Sequence, residues 1–570
     1  MEESAAGVAT ERDPPPSQPT SGATQVALGI AVSRAFGFLR EVILAFFFGA
    51  GPHADVFRTA LRGPNILQNL LGEQTLSASF IPVYSRLLAA GKREEAGRFA
   101  GAIFGLLLAV AASLSLIGIV LAEPIVGILA PGYLGDAAQV AAGGMEVDRY
   151  RLAVTAVRII FPMTGVLVLS AWALGVLNSH RRFLVPYMAP ALWNAAIIGA
   201  LVVAAYRWDA GLAWVQGTPI AVEGLDRLVV AACVGALIGG VLQFAFQLPA
   251  VAQLLRGFRL SISPKVGGVS EALNAFAPLV AGRGAVQLSS YLDYFLGSFL
   301  AAGAVAALGW AQTLYLLPIG LFGMSVAAAE LPELARRSEA EDRSEMLGRI
   351  DSSLRQMAFL TVPTAVGYLV FGFLLIGGLF RRGQFGVADN WLVYLVLCGY
   401  SSGLLASTTS RLLNNVFYSF GQTKVPARIA IERVVLSAVV GISLMLWLDH
   451  FSVAEMFGTD GAGASLFLGA VGLSLGAGVS SWYELARLQV SLKGAVGSLS
   501  LPWAVILRFL AIAALSCVPA AGLWYLLRDQ PPLMSAVMVL AVYTLAYLAL
   551  TWVLGLSELG RWLGGRRGQR

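Results

Sequence analysis

The sequence predicts an all-α polytopic membrane protein with about fourteen transmembrane helices, arranged as two six-helix lobes related by an internal repeat plus a C-terminal helix pair. Three observations carry that prediction. The first is composition: 57% of the 570 residues are hydrophobic and 13% charged, with a mean hydropathy of +0.74, a balance that no soluble domain of this size shows. The second is spacing. Apolar runs of about 20 residues recur along the chain, the length that a 1.5 Å rise per residue needs to cross a hydrocarbon core about 30 Å thick. The third is repetition of loop motifs at a nearly constant offset. The 63 glycines fit the same class, because small residues let helices approach closely in lipid.

Residues 1–22 are polar and Pro-rich and lack the apolar core of a signal peptide, so they read as a disordered cytoplasmic tail. Apolar runs then fall at 24–48, 57–84, 98–122, 152–177, 184–205 and 228–253, within a first lobe at 23–260. A second lobe at 261–495 holds the runs 272–300, 304–328, 356–379, 391–417, 427–448 and 464–488. The runs 502–525 and 533–556 form the final pair within 496–557, and residues 558–570 are a basic cytoplasmic tail. With the N-terminus inside, the inner loops and the C-terminal tail hold 22 Lys and Arg and the outer loops 7. The positive-inside rule therefore puts both termini in the cytoplasm and makes the span count even.

The repeat is read from two motif pairs. FIPVYSRLLAAGKREEAGRFAG at 80–101 echoes ELPELARRSEAEDRSEMLGRID at 330–351, and VLNSHRRFLVP at 176–186 echoes VFYSFGQTKVP at 416–426. Both members of each pair fall on the cytoplasmic side, so the halves are parallel repeats. That symmetry suits a transporter whose lobes rock about a central site.

Ionisable groups inside spans are costly and face a bundle interior or a wet cavity. Arg34 and Glu41 lie seven apart on the first span and share a face, with Gly37 between them, whereas Arg40 points about 120° away. Arg34, near mid-span, is read as a cavity residue. Arg40 is read as snorkelling or ion-paired near the outer end. Asn65, Gln68, Asn69, Gly72 and Ser79 make a polar stripe on the second span, with Glu73 at its margin. This stripe is either polar glue between helices or cavity lining, and the two roles are compatible. Pro64 would kink that helix or start its regular part. On the seventh span Arg283, Gln287, Ser290 and Tyr294 share a stripe beside Asp293. Arg283 is either one half of a structural salt bridge or an anion-binding group, and the second is preferred. Arg411 and Arg433, near cytoplasmic ends, are expected to snorkel. The spans hold more Arg than acid, which favours an anionic substrate, since a guanidinium offers a fixed fork to phosphate oxygens.

The functional classes excluded are as informative. Cys233, Cys398 and Cys517 all lie in apolar runs and read as buried thiols. His53, His180 and His450 are too far apart in sequence to suggest a metal or proton-relay centre. There is no P-loop lysine motif, no HExxH and no nucleophile elbow. The positive charges sit in short loops between spans, so no nucleic-acid partner is expected. No catalytic residue, metal or cofactor is expected either, and transport would be driven by an ion gradient, the membrane potential or substrate supply.

The stretches SRAFGFLREVILAFFFGAG, ADVF and RGPNILQNLLGEQTLSASFIPV, followed by GVLNSHRRFLVPYMAPALWN, GGLFRRGQF and RLLNNVFYSFGQTKVPARIA, resemble the MurJ (MviN) lipid II flippases of the multidrug/oligosaccharidyl-lipid/polysaccharide exporter superfamily. The likeness covers nearly the whole chain after the tail. It implies two six-helix lobes around a cationic cavity and a final helix pair forming a groove for a polyprenyl tail. It further implies movement of undecaprenyl-pyrophosphate-linked peptidoglycan precursor to the outer leaflet by alternating access, in the bacterial inner membrane. The implied partners are lipid II or a similar polyprenyl-pyrophosphate glycan, membrane lipid and a coupling ion. Arg34, Arg40, Glu41, Asp55 and Glu73 match the family's charged positions. With Asn65, Gln68 and Arg283 they form the expected substrate cavity. Two departures stand out: Gln68 and Asn69 replace two arginines usual after the Pro-Asn pair, and Gln312 and Thr313 replace an Asp-Arg pair on the eighth span. Arg283 is expected to restore one positive charge. The alternatives are a flippase for another polyprenyl-linked glycan or a small-molecule exporter of the related multidrug class.

Overall fold

A computed structural model describes residues 21–208, 220–276, 280, 291–320, 343–420, 422–459, 466–495, 501–556 and 558; of residues 21, 23, 73, 74, 343–347, 494 and 495 only the backbone is described. These residues form helices throughout, and strand pairing among them is limited to one isolated bridge between Ser452 and Phe467. In chain order the helices are α1 Ser21–Phe48, α2 Pro52–Leu71, α3 Glu73–Ala89, α4 Arg93–Val120, α5 Ala122–Leu129, α6 Asp136–Ala141, α7 Arg149–Ser179, α8 Leu184–Arg207, α9 Val222–Leu254, α10 Leu292–Gly297 and α11 Ala304–Pro318. They continue as α12 Arg343–Phe380, α13 Val387–Ser401, α14 Leu404–Ser419, α15 Lys424–Leu448, α16 Val453–Phe457, α17 Gly469–Ala495, α18 Trp503–Leu526 and α19 Pro532–Val553.

Eight helices among the described residues are long and apolar enough to cross a membrane, and a ninth span arises if α13 and α14, bent by 43°, count as one. The helix α1 spans 28 residues but carries Arg34, Arg40 and Glu41, which lower its apolarity. The expected span at 57–84 is two helices. Pro52 opens α2 at its first turn, where a missing N–H costs nothing, and α2 then continues past Pro64. The break comes at Gly72, where a Cβ would overlap the carbonyl oxygen of Gln68. The expected spans 272–300 and 304–328 lie partly outside the described residues. Pro186 and Pro426, paired by the repeat, both sit at the third residue of their helices, α8 and α15.

The core shows how the halves meet. We label the faces by the Lys and Arg bias, with the start of α1 inside. On the outer side one apolar core runs across both halves, joining Phe48, Phe57, Tyr133 and Val157 to Val305, Trp310, Phe385 and Leu397. On the inner side the described residues form two separate cores. One joins α3, α4 and α7 through Phe80, Phe99 and Trp172; the other joins α12, α14, α17 and α18 through Phe359, Phe417, Leu488 and Phe509. Among the described residues the apolar packing is thus continuous across the halves outside and divided inside, where a Cβ on Gly320 would still stand 3.7 Å from the Arg34 guanidinium.

Two further contacts fix the architecture. Gly97, Gly101 and Gly105 recur every four residues on α4, and a Cβ at any of them would overlap the carbonyl oxygen of Arg256, Arg259 or Ser261. This glycine stripe holds the extended backbone that joins the lobes, since only an absent side chain allows so close an approach. At the other end of the chain α18 and α19 pack on α12. Pro363 has no N–H, so the carbonyl of Phe359 one turn earlier lacks its helical donor. The Tyr547 hydroxyl of α19 donates to that carbonyl at 2.9 Å, and Tyr543 donates to the Pro363 carbonyl at 2.8 Å. In lipid, where no water can fill in, such donors fix the docking of the pair.

Candidate functional site: a cationic cavity and the lobe interface

Arg34 lies on the inner half of α1 and is exposed to a cavity of about 250 Å³ lined also by Gln68 of α2, Ser170 of α7, Pro186 and Pro190 of α8 and Gln243 of α9. Behind the cavity wall, Gln243 and Gln247 both donate to the Ser170 hydroxyl oxygen, at 3.2 and 2.6 Å. Arg34 makes no ion pair among the described residues. Ile30, Leu167, Ala171 and Leu174 also line it, so Arg34 is the charged group of a mixed polar and apolar cavity.

Two turns further out, Glu41 is buried and shared by two arginines. The Arg40 Nη2 donates to Glu41 Oε1 at 2.6 Å, and the Arg58 Nη2 donates to Glu41 Oε2 at 2.7 Å. Each guanidinium also lies over an indole: Arg40 over Trp193 of α8 at 4.9 Å, and Arg58 over Trp310 of α11 at 4.7 Å. Two cations on one carboxylate leave a net positive charge, and the aromatic faces stabilise it away from water. One turn along α2 from Arg58, Arg62 lies over Tyr294 at 3.2 Å and Tyr291 at 5.4 Å, both from the second lobe.

Asp55 is fully buried at the outer end. It accepts from the backbone N–H groups of Gly303 and Ala306, both at 2.7 Å, and so caps α11 from the other lobe. Arg149, which the loop count had placed outside, lies 3.6 Å from Asp55 and holds Asp136 through Nε at 2.6 Å and Nη2 at 3.1 Å. Its guanidinium covers the Tyr133 ring at 4.4 Å, and its Nη1 donates to the Leu300 carbonyl at 3.5 Å. This buried network clamps the outer face shut.

The predicted residues thus fall into three places. Arg34 and Gln68 share the inner cavity, with half-buried Asn65 one turn away on α2. Arg40 and Glu41 form the central pair, and Asp55 belongs to the outer clamp. The side chain of Glu73 and the whole of Arg283 lie outside the described residues. Among the other charges, Arg433 does not simply snorkel: its Nη1 donates to Glu484 at 2.9 Å, because a carboxylate that is 5% exposed needs a counter-charge. Asp293 accepts from the Tyr400 hydroxyl at 3.0 Å. Sequence reasoning passed over Arg58 and Arg149. The signal for Arg58 was its spacing of four from Arg62, which places both on one face of α2.

The family model described as "MurJ: Lipid II flippase MurJ" matches residues 44–545. The chain belongs to this family. It is 28% identical to the lipid II flippase MurJ of Burkholderia cenocepacia over 545 residues, covering 92% of this chain and 95% of that one. It is 30% identical to a probable lipid II flippase MurJ of Rhizobium tropici, covering 88% and 86%. Among solved structures it superposes on a lipid II flippase MurJ in an inward closed conformation with a TM-score of 0.69 at 19% identity, over 93% of this chain and 98% of that one. An inward-facing multidrug resistance MATE transporter gives 0.57 at 15% identity, over 83% and 99%. The likenesses to solved structures establish the fold alone, a multi-helix membrane-protein fold shared with both.

Proposed function

We propose that this chain flips undecaprenyl-pyrophosphate-linked peptidoglycan precursor, lipid II, from the inner to the outer leaflet of the bacterial cytoplasmic membrane, with both termini cytoplasmic. The observation that carries the reading is the pair of arginines on α1: Arg34 open to the inner cavity and, on another face of the helix further out, Arg40 held on Glu41. The pyrophosphate is the substrate's fixed anion, and a guanidinium fork matches its oxygens. Apolar packing that is continuous outside and divided inside among the described residues fits a transporter open to the inner leaflet, which alternates by moving one lobe against the other. The α18–α19 pair offers an apolar flank for the polyprenyl tail.

A second reading, a flippase for another polyprenyl-linked glycan, draws on the substituted positions. Gln312 accepts from the Tyr294 hydroxyl at 2.5 Å and Thr313 donates to the Gly309 carbonyl at 2.9 Å, so neither supplies the charge the family pattern carries there. Depletion of a resident lipid II flippase, with this chain expressed in its place, separates the two. Restored growth and cell shape support lipid II. Lysis despite confirmed membrane insertion rejects it.

A further inference from the structure

We infer that Arg58 is a further substrate-contacting residue that also couples the two lobes: in the outer-closed state it is parked on Glu41 and on the second lobe, and lobe separation frees it to bind the anionic head group. The inference rests on the proposed lipid-linked anion as substrate and adds to it a residue and a coupling.

The asymmetry between the two arginines on Glu41 is the starting point. Arg40 stacks on Trp193, which belongs to its own lobe, so its surroundings stay together when the lobes move. Arg58 stacks on Trp310 of α11, which belongs to the other lobe. The seat on α11 is built for it. Gly309 lies directly beneath the guanidinium, and a Cβ there would stand 2.7 Å from Arg58 Nε and overlap Nη1. Trp310 is itself fully buried, with Phe385 packed edge-on at 5.6 Å, so the ring is a fixed platform. When the lobes part on the outer side, Trp310 leaves with α11 and Glu41 remains. Arg58 then shares one carboxylate with Arg40 and has lost its aromatic face. It then joins Arg40 as a second guanidinium beside Glu41, further out than Arg34. It supplies charge on α2, where Gln68 and Asn69 carry none.

The coupling follows from competition. With its Nη2 given to Glu41 and its Nη1 and Nε lying against Gly309, the seated guanidinium has no paired N–H edge left for a phosphate, so the seat favours outer closure in the empty protein. An anion that takes Arg58 removes one contact that holds the outer face shut. Ligand and closure then oppose one another through a single side chain, and a ligand shifts such an equilibrium only by its differential affinity for the two states.

Two variants break the seat in opposite ways. Gly309→Ala expels the guanidinium but keeps the charge, and the group displaced is the flexible end of a side chain, so the fold is retained. Arg58→Gln removes the charge itself. Both are placed in full-length protein in nanodiscs, with Cys233, Cys398 and Cys517 replaced by serine and spin labels at Leu134→Cys and Met456→Cys, two exposed outer positions. The probe ligand is undecaprenyl pyrophosphate. Both variants are expected to raise the outer-open fraction, by about threefold to tenfold for loss of one cation–π contact. Gly309→Ala is expected to bind the probe a few-fold tighter because Arg58 is already free. Arg58→Gln is expected to bind it at least about tenfold weaker, the loss of one charge-assisted contact. Arg58→Lys should fall between wild type and Arg58→Gln, keeping charge without the fork.

If both variants open the lobes and binding is unchanged, or changes in the same direction, Arg58 is only structural glue and the inference fails. If neither variant shifts the label distance, the coupling fails. Absence of probe binding by the wild type overturns the lipid-linked reading itself, and the label distances still report whether the seat holds the lobes.

Discussion

Asp55→Ala offers the sharpest perturbation of outer closure. The carboxylate is fully buried, accepts two backbone N–H groups at 2.7 Å from the first turn of α11, and lies 3.6 Å from Arg149. Removing it orphans two buried donors, each costing about 1–3 kcal/mol, and leaves Arg149 with Asp136 as its remaining acidic partner. Because the donors and the acceptor sit on different lobes, the loss falls on the outer-closed state and not on either lobe alone. A sum of about 3–5 kcal/mol is two to four powers of ten in the closed-to-open ratio. Thr59, one turn from Asp55 and 4% exposed beneath the Tyr133 hydroxyl, is a suitable reporter as Thr59→Cys in a background without native cysteines. A membrane-impermeant maleimide added outside should label it slowly in the parent and at least about a hundredfold faster with Asp55→Ala. Equal labelling rates in two well-folded proteins would refute the claim that Asp55 clamps the lobes.

Other substitutions test separate parts of the account. Tyr547→Phe removes the hydroxyl that serves the Phe359 carbonyl left by Pro363, and should lower stability by about 1–3 kcal/mol, read as a drop in Tm in detergent. Gly101→Val should displace the interlobe backbone at Arg259 and sharply reduce folded yield, whereas Gly199→Val, which faces open space, should not. Arg433→Ala leaves the buried Glu484 with Asn414 at 3.4 Å as a remaining donor and should destabilise by about 1–3 kcal/mol, with Arg433→Ala/Glu484→Gln recovering much of the loss in the same melt. At the inner end of α7, burial and the neighbouring Arg93 and Arg182 hold the His180 imidazole below its ordinary pKa. Its folded form therefore binds fewer protons than the unfolded chain as pH falls below the ordinary value of about 6.5, so stability should decline there. His180→Gln should flatten that part of the stability-against-pH curve.

The elements were largely legible in the sequence because hydrophobic length is a one-dimensional signal. The runs at 98–122, 152–177 and 228–253 reappear as α4, α7 and α9 with shifted ends. Where polar residues interrupt a run the reading weakened: the run at 57–84 concealed the break at Gly72, and Pro64, expected to kink the helix or start its regular part, lies inside α2, whose regular part starts at Pro52. Arg34, which lines the inner cavity, was legible because its charge stands alone in an apolar setting. Arg58 sits near the start of its span, close to where a loop charge would be counted, and its value comes from Glu41 on α1 and Trp310 on α11, far away in sequence. Arg149 was counted with the outer loop because nothing in its neighbours shows that Asp136 and Asp55 converge on it. Spacing reveals which residues share a helix face. It does not reveal which face meets another helix.

The central claim is that the two arginines of α1, Arg34 and Arg40, serve the movement of a pyrophosphate-linked precursor to the outer leaflet. The most direct measurement is the outer-leaflet accessibility of lipid II in cells whose flippase is this chain alone, read with an impermeant lipid II-cleaving toxin. The account predicts that the wild type restores accessible lipid II and that Arg34→Ala/Arg40→Ala, at equal membrane abundance, does not. Accessible lipid II at wild-type level in the double variant would contradict it.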